Sequence, residues 1–128
     1  MSRRSVRLMM AAATLVRLSY ALGLLLAPDA MSKARLAPAT PGNGYARMTT
    51  RAFGAVHANV SILSLRAAIR DEDVRLALGL NIGCDVGDLI ATALEWRDQD
   101  LPAVAAVGSI VVQSAGIATW STLLRAAR

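Results

Sequence analysis

Two carboxylates three residues apart, Asp85 and Asp88, stand in an otherwise apolar run, and the one histidine of the chain, His57, stands in another. At helical spacing the two acids share a face, where each disfavours ionisation of the other. Together with an imidazole they make an acid/base or proton-binding group. Arg17 interrupts a third apolar run and Gln113 a fourth. An ionised side chain near the middle of a bilayer costs roughly 2.5–3.5 kcal/mol on insertion scales, so such groups are expected to pair or to face water. The candidate catalytic residues are therefore His57, Asp85 and Asp88. Read structurally, Arg17, Asp85, His57, Asp88 and Gln113 form a polar core that locks helices into one register. Both readings fit the residues.

Depth selects the partners. Arg17 and Asp85 each lie about ten residues inside their runs from one side, or about 15 Å at helical rise. Asp88 and His57 each lie about six residues in from the other side. Two pairs are expected, Arg17 with Asp85 and His57 with Asp88.

Other chemistry is poorly supplied. Cys84 is the one cysteine, so no disulfide framework can form, and with a single histidine a conventional zinc site lacks ligands. No metal and no cofactor are expected. Asn59-Val60-Ser61 matches a glycosylation acceptor but falls inside an apolar run, and Ser61, His57 and Asp88 lack the turn that presents a nucleophile. The net charge is +5, yet only 4% of residues are aromatic and the basic residues flank apolar runs. That layout argues against nucleic acid as a partner.

The elements that must position these groups are membrane spans. Hydrophobic residues make up 55% of the chain and charged residues 18%, against about 45–50% and 25% in globular proteins. About 20 apolar residues cross the hydrocarbon core, and four windows qualify: 8–27, 51–69, 74–94 and 101–124. Ser2-Arg3-Arg4-Ser5-Val6 has the look of a twin-arginine export signal. Arg17 breaks its apolar region, however, and Ala27-Pro28-Asp29-Ala30 is a poor cleavage site, so the first window is expected to stay as a span. Asp29 to Ala37 is a candidate interfacial helix, and Pro41-Gly42-Asn43-Gly44 reads as turns. Short second and third connections make antiparallel neighbours.

Eight basic residues, Arg3, Arg4, Arg7, Arg66, Arg70, Arg75, Arg125 and Arg128, fall on one side, against Lys33, Arg35, Arg47, Arg51 and Arg97 on the other. The richer side is expected to be cytoplasmic, which puts both termini there. In the third span Gly79, Gly83, Gly87 and Ala91 recur every four residues, a ladder that lets helix backbones approach closely. The span is expected to sit centrally and pack through that face, with Ile82, Val86, Leu89 and Ala93 toward lipid. Arg17 should point inward beside Tyr20, Ala21 and Leu24, and Ser109, Gln113, Gly116 and Trp120 should form the inner face of the last span. Gly54/Ala58 and Ala105/Ser109 are small-residue faces available to a partner.

Arg17 with Leu22-Gly23-Leu24 and Pro28, the block Arg51-Ala52-Phe53-Gly54-Ala55, and Asp85-Val86-Gly87-Asp88 together resemble a family of small bacterial membrane proteins. That family is known as a domain of unknown function of about four spans, common in high-GC Gram-positive bacteria. The resemblance implies architecture and no activity. Members commonly carry a charged residue shortly after the Arg-x-x-Gly block, where this chain has His57 and Asn59.

The expected fold is all-α: one domain over residues 1–128, a four-helix transmembrane bundle, antiparallel up-down, multi-pass in the inner (plasma) membrane. Its surroundings are the lipid bilayer, with a membrane-protein partner or a second copy (homo-oligomer) as further contacts. Two functions remain open. One is a noncatalytic accessory or helix-packing protein. The other is a membrane-embedded enzyme or carrier for a lipophilic small molecule that uses Asp85, Asp88 and His57 as acid/base groups with Arg17 as an electrostatic anchor. A soluble helical bundle is the competing architecture.

Overall fold

A computed structural model of the protein describes residues 1–34, 43–70, 72–98 and 103–127. Within them the chain is helical, with four long helices, α1 (Arg3–Leu26), α3 (Gly44–Ile69), α4 (Arg75–Arg97) and α5 (Ala103–Ala126), and a short α2 (Pro28–Lys33). The long helices have 24, 26, 23 and 24 residues. At helical rise that is about 34–39 Å each, enough to cross a hydrocarbon core of about 30 Å. All four are apolar enough to do so.

The helix ends follow from local chemistry. Ser2 caps α1 by accepting a hydrogen bond from the Ser5 amide. Pro28 opens α2, where a missing amide proton costs nothing. Asn43, expected in a turn, instead caps α3 by accepting from the Ala46 amide, so α3 starts at Gly44, seven residues before the expected 51. The rest of the expected Pro41-Gly42 turn lies outside the described residues. Asp73 accepts from the Arg75 amide at 2.9 Å at the start of α4.

Arg75 also wraps its guanidinium onto Asp73, at 2.7–3.0 Å. These side-chain hydrogen bonds, helped by the amide, hold the Asp73 carboxyl down to about 2, from an ordinary 3.8. A depressed carboxylate contributes stability above its ordinary value and loses it as pH falls through the folded one. An NMR titration of the Asp73 carboxyl is expected to show a midpoint near 2, and Arg75→Gln should move it up toward 3.8; an unchanged midpoint would remove Arg75 as the cause.

The long helices pack as two close pairs, α1 against α3 and α4 against α5, which meet through α3–α4 and α1–α5. Along α1 and α3, Arg7 donates to the carbonyls of Ala67 (3.0 Å) and Ala68 (3.4 Å), Gly54 lies against Ala21 and Leu24, and Arg51 donates to the Leu25 carbonyl at 3.2 Å. One apolar cluster, Val6, Met10, Ala67, Val74, Ala77, Leu78, Trp120 and Leu123, joins all four at one end.

Elsewhere the interior is polar and small. Thr14, Thr50, His57, Ser61, Ser64, Asn81 and Asp85 are buried, while Leu15, Val16, Val56, Ile62, Ile90, Val111 and Val112 are exposed. In water this distribution would waste apolar burial. Against lipid tails it is the favourable one, because polar groups must be satisfied inside while aliphatic groups lose nothing outside.

Two expectations about α4 are overturned. Gly79, Gly83, Gly87 and Ala91 are exposed, and a Cβ added at any of the three glycines meets nothing within 4 Å. The ladder therefore packs against no other part of the described chain. The helix turns its opposite face inward, through Ala77, Leu78, Asn81, Asp85 and Thr92. The energetic reason is that stranding Asn81 and Asp85 in hydrocarbon costs more than close backbone packing returns. The aliphatic sector is split for the same reason, with Ile82 packed on the apolar cluster and Val86 exposed. Gly54 is also not a surface for a partner: it is buried in the α1–α3 crossing.

Candidate functional site

The middle of the bundle is bridged by side chains. No Cα of α1 comes within 8 Å of a Cα of α4 among the described residues, yet the Arg17 guanidinium reaches the Asp85 carboxylate directly through its Nη2. The pair crosses the bundle diagonally. Its side chains are 10% and 7% exposed, so solvent screens it little. Arg17 Cζ also sits 5.3 Å from the centre of the Trp120 ring, a cation–π distance, which ties α5 to the same charge. Gly116 of α5 makes the room, since a Cβ there would run into the Asp85 carboxylate.

His57 of α3 approaches Asp88 of α4, Nε2 to Oδ2, at 3.2 Å; the side chains are 5% and 18% exposed. A neutral imidazole carrying its proton on Nε2 donates to the carboxylate, and a protonated one adds a full ion pair. The Phe53 ring packs one turn away, with centroids 4.3 Å apart and planes tilted by 48°. Tyr20 of α1 lies close enough to Asp88 to feel its charge. Cys84, free and half-buried, lies within the fields of Arg17, Asp85 and Asp88.

The structure thus brings together Arg17 with Asp85 and His57 with Asp88, and α4 carries both acids. Gln113 belongs to neither pair. Its Nε2 donates to Thr92 Oγ1 at 3.2 Å, stitching α5 to α4 farther along the bundle. Asn81 donates to Ser64 Oγ at 2.7 Å and to the Ala77 carbonyl at 2.8 Å, stitching α4 to α3. The residues that sequence reasoning missed are the bridging partners Ser64 and Thr92, and Trp120 as the lid on Arg17. Trp120 lies on the inner face expected for the last span, but nothing along the chain says which serine on α3 stands level with Asn81.

Compared with family models, curated proteins and solved structures, this chain matches none. Among the described residues no three His, Cys, Asp or Glu side chains gather as a metal would need. What the arrangement supplies is a charge-neutralised diagonal, Arg17–Asp85, beside a His57–Asp88 couple whose acid is the more exposed of the two carboxylates. The first suits bracing, because both charges are spent on each other. The second sets an imidazole nitrogen against a carboxylate that is partly exposed.

Proposed function

We propose that this chain is a multi-pass protein of the inner (plasma) membrane, an antiparallel up-down bundle with both termini cytoplasmic, acting noncatalytically as an accessory or helix-packing protein. The observation that carries this reading is the diagonal Arg17–Asp85 pair, which spends two buried charges on holding α1 to α4. Contacts that run from Arg7–Ala67 to Arg51–Leu25 support opposite directions for α1 and α3, and Asp85–Gly116 with Thr92–Gln113 does so for α4 and α5. The excess of arginines at one end supports the orientation. The likeness to small four-span bacterial proteins agrees with this architecture. The exposed small-residue face of α4 is where another helix can come closest.

Alkaline carbonate treatment of membranes is expected to leave the protein in the pellet, and cysteines placed at the chain ends are expected to react only from the cytoplasmic side. Release into the supernatant would end the spanning reading. A second reading, an enzyme or carrier for a lipophilic molecule, is favoured by the partial exposure of Asp88 beside His57. A small molecule that co-purifies beside this couple and is lost in Asp88→Asn would transfer the assignment to it.

A further inference from the structure

The same end of the bundle that holds the apolar cluster carries an open groove between the start of α1 and the end of α3. It has a volume of about 510 Å³ and is lined by Arg3, Arg4, Arg7, Leu8, Ala11, Ala68 and Ile69, within the range of about 300–1,000 Å³ usual for small-ligand sites. We propose that this groove binds a phospholipid with an anionic headgroup, the phosphate held by Arg3 and Arg4 and an acyl chain laid along the apolar wall. The inference rests on α1 beginning and α3 ending at one membrane surface.

Charge and shape both point to an amphiphile. No carboxylate among the described residues lines the groove. Two described acids nearby are already engaged: Asp73 is held by Arg75, and Glu72 accepts from Arg66 at 3.2 Å. Among the described residues neither Arg3 nor Arg4 pairs with an acid, and both are exposed. Arg7 is fixed in place, because it donates to the Ala67, Ala68 and Glu72 carbonyls at 3.0, 3.4 and 2.9 Å. That leaves Arg3 and Arg4 as two cations at the rim, above a floor that Arg7 braces. Below them Leu8 is 62% and Ile69 77% exposed, an apolar wall facing the hydrocarbon. A free inorganic anion would use only the upper half of this surface. A basic pocket at the membrane interface with an aliphatic flank is the recognition chemistry of anionic lipids.

The test is native mass spectrometry of the full chain released from micelles containing phosphatidylglycerol and phosphatidylcholine in equal amounts. The wild type is expected to retain phosphatidylglycerol preferentially. Arg3→Gln/Arg4→Gln should lose that preference by on the order of tenfold or more, as two interfacial arginines imply. Arg97→Gln, at the other end, should retain it. An independent variant, Ile69→Trp, fills the apolar wall and leaves every arginine; it should weaken lipid retention without abolishing charge selectivity. Equal retention of the two lipids by wild type, or wild-type retention in both groove variants, overturns the proposal. Release of phosphatidylglycerol by millimolar inorganic phosphate also overturns it, because the site would then belong to a free anion. Each outcome is distinct from failure of the spanning reading, which shows as release by carbonate.

Discussion

Replacing Asp85 by alanine is expected to lower the thermal midpoint of the protein in detergent by on the order of 10 °C, while Ser114→Ala leaves it nearly unchanged. Ser114 is exposed and its loss touches no buried partner. Asp85 is the counter-charge of Arg17 in the middle of the bundle. Removing one member of a buried pair costs about 3–5 kcal/mol, mainly because the other is left charged and unpaired. Arg17 cannot easily escape, since its guanidinium also sits against Trp120. The double variant Arg17→Leu/Asp85→Leu should recover much of the loss, because two aliphatic groups of similar size need no partner. Equal midpoints for Asp85→Ala and Ser114→Ala would show that the diagonal pair contributes nothing.

Alanine at Gly54 and alanine at Gly83 are expected to act in opposite directions. A helix generally gains from Gly→Ala, by up to about 1 kcal/mol, because alanine has less backbone freedom to lose. At Gly83 the new methyl meets nothing within 4 Å, so that gain should appear in full. At Gly54 it would lie 2.8 Å from the Ala21 carbonyl oxygen, 2.9 Å from Leu24 Cβ and 3.0 Å from the Leu25 amide nitrogen. Two of those atoms are backbone. They can yield only if α1 and α3 move apart, which would also stretch the Arg51 bond to the Leu25 carbonyl. Overpacking of this kind costs about 1–3 kcal/mol, so Gly54→Ala should unfold at a lower temperature than wild type and Gly83→Ala at a higher one. Stabilisation by both substitutions would refute the close α1–α3 crossing.

The contrast between these two glycines marks the limit of what pattern alone reveals. The ladder Gly79, Gly83, Gly87 has the stronger periodicity, yet it faces outward, and Gly54, expected to face a partner, lies in the tight α1–α3 crossing. Spacing along one helix identifies a face. It does not identify what the face meets, because each face competes with every other for the interior. On α4 that competition went to Asn81 and Asp85.

Four apolar segments, their approximate ends and the depths of Arg17, His57, Asp85 and Asp88 were legible from residue types along the chain. Hydrocarbon thickness sets a segment's length, and ionisable groups immersed in it need partners at their own level. Both constraints act along the membrane normal, which the chain's own count of residues measures. Only the tertiary structure decided the rotation of each helix about its axis: the diagonal reach of Arg17, its contact with Trp120, the Asn81–Ser64 and Gln113–Thr92 bridges, and the outward turn of the ladder. Rotation is set by lateral contacts among residues far apart in sequence, so no residue count along a single helix contains it.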